Sequence, residues 1–424
     1  MTLDYGYYPI EGVRPLDGSF IALNPVNCQW SKDRWQREFV FFKNLGMKTA
    51  VLNRAISKTN AYYQNCSLSG FNSTGNPIEL IMSIADEMNL DIWLGLYESE
   101  EEWFTVNPTT LKDVLKKSVA VADDLHRIYQ SHPSWKGWYI PEEIDNLNWI
   151  SPDKQKKLID KFLLPLTTHL NKLSPEKFIL LSPSFNDRVR APEEYGTWWN
   201  QVLAACPALS HLAVQDGIGV DHADWDTMPA YFHSLQIACQ ENHRTLWSDV
   251  ELFNGVGFPE PASLGRITRQ IKAVEPYVTG LLSWEFLDSL SPSAGWEQAL
   301  RYSEYKDYLN GVHDTYLCNI SRNKPKAQSG KPRPTTILDL GETFPHLASV
   351  WIYGPMGSSP AKVFVAQDNR KFKSLGITDE PRELIDGQGL CIIKSKGFAA
   401  RYIKVETEVL PDNVIVFQDM DYND

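Results

Sequence analysis

At 424 residues, with 43% apolar and 22% charged side chains, the chain suits one barrel-sized domain plus a small partner and has no disorder signature. A formal net charge of −12 argues against nucleic acid or an anionic membrane surface as partner. No window nears the roughly 18 apolar residues of a membrane span.

Cys28, Cys66, Cys206, Cys239, Cys318 and Cys391 show neither C-x-x-C nor metal-ligand spacing and read as free thiols. Met1-Thr2-Leu3-Asp4-Tyr5 lacks the basic flank and apolar core of a secretory signal. The chain as written therefore reads as cytoplasmic, or as exported if a signal has been removed. Fourteen tryptophans supply flat faces that can stack on sugar rings or fill a core.

After an irregular lead-in, residues 19–24 form the first apolar run, and residues 31–47 carry Trp35, Phe39, Phe42 and Leu45 at helical spacing. Residues 49–53 make a second strand. The following loop is too long for a routine connection and holds Tyr62, Tyr63 and Phe71, so it is expected at a substrate site. Asn76-Pro77-Ile78-Glu79 predicts a capped helix start. A third strand over 91–97 leads into an acidic, aromatic loop with Glu98, Glu100, Glu101, Glu102, Trp103 and Phe104.

The alternation continues with strands expected over 135–140, 178–182, 211–216, 246–251 and 280–286, and helices over 110–131, 151–173, 195–209, 227–242, 264–278 and 296–309. Eight strand–helix repeats predict an α/β fold, a parallel (β/α)8 barrel. An open doubly wound sheet is the rival, but no G-x-G-x-x-G opens any of these helices. The barrel is expected over residues 1–314. Residues 315–424 change to short alternating segments separated by Gly and Pro, with Lys324, Lys326, Lys331 and Arg333 near the shift, and predict a small all-β sandwich.

Carboxylates gather at the expected strand ends. Glu142 and Glu143 follow the fourth strand in Gly137-Trp138-Tyr139-Ile140-Pro141-Glu142-Glu143-Ile144-Asp145, Asp216 closes the sixth, Glu251 the seventh, and Glu285 lies at the eighth. In such barrels the strand C-termini carry the active site. Glycosidic cleavage needs one protonated carboxyl at the leaving oxygen and one ionised carboxylate across the anomeric carbon, about 5–5.5 Å apart for retention and about 6.5–9.5 Å for inversion. Strands four and seven lie on opposite sides of the barrel, so their tips can face one substrate. Neighbours on a strand point opposite ways, so only one of Glu142 and Glu143 can face the site. Asp249 shares the parity of Glu251 and is a supporting candidate.

Glutamates ending strands four and seven resemble those of clan A retaining glycoside hydrolases. The resemblance implies that Glu143 or Glu142 is the acid/base, that Glu251 is the nucleophile, and that Trp284 floors a sugar subsite. The asparagine usual before the acid/base is replaced here by Pro141-Glu142. Gly137–Asp145, Gln215-Asp216-Gly217-Ile218-Gly219 and Ser283-Trp284-Glu285-Phe286 are similar to a bacterial glycosidase-like barrel family of unassigned function, which favours Glu143. Gln215, Asp216, Glu285, Tyr97, Asn53 and Tyr139 complete the expected substrate-binding set.

In the C-terminal part, residues 319–329, Ile337-Leu338-Asp339-Leu340-Gly341 and Ala400-Arg401-Tyr402-Ile403-Lys404 resemble a discoidin-like, galactose-binding-type sandwich with the usual segment between the first two nearly absent. The expectation is thus a retaining glycosidase acting on a carbohydrate, with no metal or cofactor; the sequence leaves the oligomeric state open. A carbohydrate-binding barrel without chemistry would predict saturable sugar binding and no hydrolysis. A metal-dependent sugar isomerase or lyase would need a ligand set at recognisable spacing. Each carboxylate also has a plain alternative as an ion pair, and each aromatic as core.

Overall fold

The computed structural model describes residues 9–10, 12–99, 108–149, 151–255, 260–311, 317–323, 334–355, 360–378, 382–383, 388–411 and 413–419. Glu100, Glu101, Glu102, Trp103 and Phe104 of the expected acidic loop lie outside them, as do Lys324, Lys326, Lys331, Arg333 and the side chain of Cys318. Cys28, Cys66, Cys206, Cys239 and Cys391 are free thiols.

Two compact units are present, one spanning Ile10–Ser291 and the other containing everything from Pro292 onward. The first is an eight-stranded parallel sheet: β1 (Gly18–Ile21), β2 (Thr49–Leu52), β3 (Asp91–Gly95), β4 (Trp135–Ile140), β5 (Phe178–Leu181), β6 (His211–Gln215), β7 (Thr245–Glu251) and β8 (Gly280–Trp284). The strands are ordered as they occur in the chain. Closure brings β8 back to β1: Asp17 donates its backbone N–H to the Leu281 carbonyl at 2.8 Å, and Ser19 Oγ donates to the Ser283 carbonyl at 2.8 Å. The architecture is a (β/α)8 barrel followed by a β-sandwich.

Local chemistry sets the helices. α1 (Lys32–Asn44) begins where Ser31 accepts from the Arg34 N–H, and it buries Trp35, Phe39 and Phe42 on one face. α2 (Pro77–Met88) starts on a proline, as expected, but Asn76 makes no capping bond; its Oδ1 instead accepts from Tyr129 Oη at 3.5 Å. α3 is Pro108–Tyr129. α4 runs through Pro152–Leu158, a π turn at Ile159–Leu163 and Leu164–Leu173. Pro165 has no N–H to continue the ordinary ladder, and the wide turn lies directly before it. α5 (Pro192–Ala205), α6 (Met228–Glu241) and α7 (Leu264–Val274) complete the ring.

The long loop after β2 is built differently from its expectation. It forms short strands at Ile56–Ser57, Asn60–Ala61 and Asn72–Ser73 that share a sheet with Tyr97–Glu98. Tyr62 and Tyr63 are buried, and Tyr63 Oη and the Ser67 N–H both donate to Asp124 on α3. The tyrosines anchor the loop instead of facing a substrate, because burying two aromatic faces gains more than exposing them.

Inside the barrel the side chains stack in layers, as the period of two requires. Trp93, Phe178, His211 and Trp247 fill the N-terminal end, with Trp93 and Trp247 centroids 5.5 Å apart. Glycines opposite make room for the indoles: a Cβ on Gly137 would meet the Trp93 ring at 2.5 Å, and one on Gly280 would meet the Trp247 ring at 2.6 Å. Burial pushes the His211 imidazole down to about 4. Above this plug lie Phe20, Val51, Tyr139, Leu180, Ala213 and Leu282. Two residues further along, each strand reaches the mouth.

The C-terminal unit contains a helix, Trp296–Leu309, which the sequence pattern counts as the last helix of the barrel. Its strands are β9 (Leu317–Asn323), β10 (Thr335–Pro355), β11 (Lys362–Ala366), β12 (Lys373–Ile377), β13 (Gln388–Glu406) and β14 (Asn413–Asp419). They pair antiparallel in the order β9-β14-β10-β13-β11-β12. Alternate residues such as Val363 and Val365, Ile403 and Val405, and Val414 and Val416 form its core. Bulges between Asp339 and Ser349 let the long β10 bend around it.

Candidate active site

Counting by twos along each strand from the plug gives the residues that reach the mouth. They are Asn53 after β2, Tyr139 and Pro141 on β4 and its end, Ser182 after β5, Gln215 on β6, Asp249 and Glu251 on β7, and Trp284 on β8. All of these line one cavity of about 300 Å³, together with Glu98, Glu142, Glu143, Val220 and Phe253. Strand pleat and barrel closure thus bring Glu143, Glu251, Glu142, Asp249, Gln215, Trp284, Tyr139 and Asn53 of the expected set together.

Glu251 is 2% exposed. Its Oε2 accepts the Val220 N–H at 3.1 Å, from the turn that follows β6. Gly219 passes so close that a Cβ there would lie 2.8 Å from Glu251 Oε2 and 2.5 Å from the Phe253 carbonyl. Behind the strand, Arg266 Nη2 and Gln270 Nε2 of α7 donate to the Glu251 carbonyl at 2.9 and 3.1 Å. Burial, then the nearby Asp216 carboxyl, push the Glu251 carboxyl up, against the pull of Arg266 and the backbone donors.

Glu142 and Glu143 part company after Pro141. Glu142 turns into the wall and accepts from both the N–H and the Oγ of Ser99 at 2.9 Å. Burial outweighs those bonds and pushes it up to about 8. Glu143 stays partly open to solvent, and Gln215 Nε2 donates to its Oε1 at 2.8 Å. Burial raises its pKa, with Asp145 adding to the effect and Gln215 opposing it. Asp249 is buried; Ser182 Oγ lies 3.3 Å from its Oδ2. Burial, then Glu251 and Asp216, hold it well above the usual carboxylate range.

Asp216, Glu285 and Tyr97 do not line the cavity. Asp216 and Glu285 each sit one residue past an inward position, so their side chains leave the barrel interior. Asp216 accepts from the Ile218 N–H at 3.1 Å and from Gln270 Nε2 at 2.5 Å, bracing the turn behind Glu251. Glu285, joined to Trp284 by a cis peptide, accepts the Ala22 N–H at 2.5 Å. Tyr97 packs edge-on against Phe71 and receives a bond from Lys117 at 3.2 Å.

Sequence reasoning passed over Glu98, Ser182, Val220 and Phe253. Ser182 was visible as the inward residue ending its strand, by the same parity that singled out Asp249. Glu98 is ion-paired to Arg54, a partner 44 residues away that no local pattern marks. Among the described residues no group of three or more His, Cys, Asp and Glu side chains is arranged to hold a metal ion, and no helix is long and apolar enough to cross a membrane. Chemically, one cavity is lined by a partly open acid, Glu143, a deeply held carboxyl, Glu251, and the aromatic side chains of Tyr139 and Trp284.

Residues 16–296 match a family described as a domain of unknown function, DUF4434. No curated protein matches the chain. Among solved structures, a candidate alpha-L-fucosidase from Bacteroides thetaiotaomicron is similar with a TM-score of 0.62 and 19% identity, over 72% of this chain and 95% of that one. At that identity the likeness speaks for the fold. A family 51 alpha-L-arabinofuranosidase from Bifidobacterium longum is similar with a TM-score of 0.42 and 12% identity, over 94% and 97%, too weakly to carry an argument.

Proposed function

From the premise that the chain belongs to the DUF4434 family, we propose that its barrel is a retaining glycoside hydrolase of clan A type. Glu251 is its nucleophile and Glu143 its acid/base. The observation that carries this is the shared cavity at the strand C-termini, lined by Glu143, Glu251, Tyr139 and Trp284.

In this mechanism Glu143 protonates the leaving oxygen as Glu251 attacks the anomeric carbon, and Glu143 then draws a proton from the water that opens the glycosyl ester. The raised pKa of Glu143 suits an acid that must hold a proton. Glu143 is favoured over Glu142 because Ser99 occupies both Glu142 oxygens. With Glu251 ionised for attack, its negative charge lies where the oxocarbenium-like transition state develops positive charge. The field is therefore better matched to the transition state than to the resting sugar.

The C-terminal unit reads as a discoidin-like sandwich beginning near residue 315, because β9, β10 and β13 fall on the three segments that resemble its opening, middle and closing strands. An alpha-L-fucoside is the first substrate to offer, because the Bacteroides thetaiotaomicron neighbour is itself described as a candidate alpha-L-fucosidase.

The test is hydrolysis of a panel of aryl glycosides, with the first-formed anomer read by proton NMR. Glu143→Gln and Glu251→Gln should each cut kcat by about 100-fold or more on the accepted substrate while leaving the melting temperature nearly unchanged. Saturable sugar binding with no turnover on any glycoside would establish the binding barrel instead.

A further inference from the structure

The cavity lining contains five carboxylates, Glu98, Glu142, Glu143, Asp249 and Glu251, and among the described residues no lysine, arginine or histidine. Arg54 is committed to Glu98 and to the Leu23 carbonyl at 3.0 Å. A substrate carboxylate or sulfate placed here would find no cationic side chain in the described lining to pair with, and would add negative charge beside acids that burial already holds back from ionising. An uncharged sugar meets no such penalty.

Asp249 adds a second, independent observation. Its Oδ2 lies beside Ser182 Oγ, but its Oδ1 is buried with no hydrogen-bond partner. Burying a polar atom unpaired is costly, and such atoms in native structures usually meet a ligand or solvent. Asp249 occupies the inward position directly below Glu251 on β7, so this unpaired oxygen belongs to a side chain deeper in the barrel than that of Glu251. A sugar hydroxyl reaching past the anomeric centre would fill the vacant bond. Glu251, Asp216 and Glu143 face the Asp249 carboxyl electrostatically, and Tyr139 and Ser182 share the lining.

We propose that Asp249 and Ser182 form a hydroxyl-reading pocket for an uncharged glycosyl unit, which makes Asp249 the specificity-determining residue and excludes uronic, sialic and sulfated sugars. The proposal rests on the glycosidase assignment above and narrows its substrate to neutral glycosides.

The experiment compares kcat/KM for the best aryl glycoside, its uronide counterpart and its monodeoxy analogues, in wild type, Asp249→Asn and Asp249→Ala. The uronide should be at least about 100-fold poorer, and one deoxy analogue should lose about 100-fold or more in wild type, as sites built around a substrate hydroxyl do. In Asp249→Ala the parent and that deoxy analogue should become equivalent, a change that a merely structural role would not produce. Asp249→Asn, nearly isosteric, carries the same comparison if the alanine variant does not fold, and there the deoxy penalty should shrink.

A uronide cleaved as fast as its neutral parent overturns the proposal while leaving the glycosidase assignment standing. So does a deoxy penalty that no Asp249 variant alters. If no glycoside turns over, the glycosidase assignment fails. The pocket is then judged on binding of the parent monosaccharide, its uronic acid and its deoxy forms by saturation-transfer NMR, where the same order supports it and indifference refutes it.

Discussion

Gln215, on the last position of β6, donates from Nε2 to Oε1 of Glu143, the acid that follows β4, at 2.8 Å. The bond spans β5 and fixes where an acid on an irregular segment points. A hydrogen bond to a carboxylate favours the ionised form, so its loss must raise the Glu143 pKa further. Gln215→Ala should therefore move the alkaline limb of the kcat/KM profile to higher pH, since the acid keeps its proton longer. It should also lower kcat by about 10-fold through misorientation. A limb that stays in place or moves down would separate Gln215 from Glu143.

Gly219→Ala tests the other carboxylate. The new methyl would sit 2.8 Å from Glu251 Oε2 and 2.5 Å from the Phe253 carbonyl, closer than real contacts allow, so Glu251 must move or the turn must open. Because Val220 N–H is also part of that turn, Glu251, the proposed nucleophile, loses its support either way. Turnover should fall by about 10-fold to 100-fold, as sub-ångström misplacement does, with a stability loss of about 1–3 kcal/mol. Unchanged turnover would mean that Glu251 is not held by this turn.

Much of this site is legible in the chain because parity survives folding. The step of two from Trp247 to Asp249 to Glu251 follows from the pleat alone, and the eight repeats fix the barrel that points it inward. The same parity excludes Asp216 and Glu285, which share the strand tips but face out. Their acidic character at a strand end concealed a bracing role that appears only once Gln270 and the Ala22 N–H are in place. The loop after β2 could not be read this way. Tyr62 and Tyr63 look like sugar platforms until Asp124, 61 residues from Tyr63, takes its hydroxyl into α3. The split between Glu142 and Glu143 likewise depends on Ser99, whose bonds to Glu142 cross 43 residues.

Gly137→Ala separates the scaffold from the chemistry. Its Cβ would meet the Trp93 ring at 2.5 Å and the Phe178 carbonyl at 2.7 Å, at the closed end of the barrel, two layers below the mouth. Neither the indole in the plug nor the backbone can give way cheaply. The variant should lose about 1–3 kcal/mol of stability, read by denaturant unfolding, with kcat/KM of the folded protein within about 2-fold of wild type, since no cavity contact changes. A collapse of turnover at full stability would show that the plug governs the mouth.

Glu142→Gln reads the partition of the two adjacent acids. Burial lifts the Glu142 carboxyl from 4.5 to about 8 in the folded protein. A raised folded pKa contributes stability fully present below the unfolded value and lost as pH rises through the folded one. Wild type therefore gives up this contribution between about pH 4.5 and pH 8, each unit of displacement being worth about 1.4 kcal/mol. Glutamine cannot ionise and escapes that loss. The melting temperature of the variant relative to wild type should thus climb from about pH 5 to about pH 8 and level off above it, while the other buried acids cancel in the difference. Turnover should persist if Glu143, as proposed, carries the proton. A flat difference across pH would show that Glu142 is not held neutral, and a folded variant without turnover would transfer the acid/base role from Glu143 to Glu142.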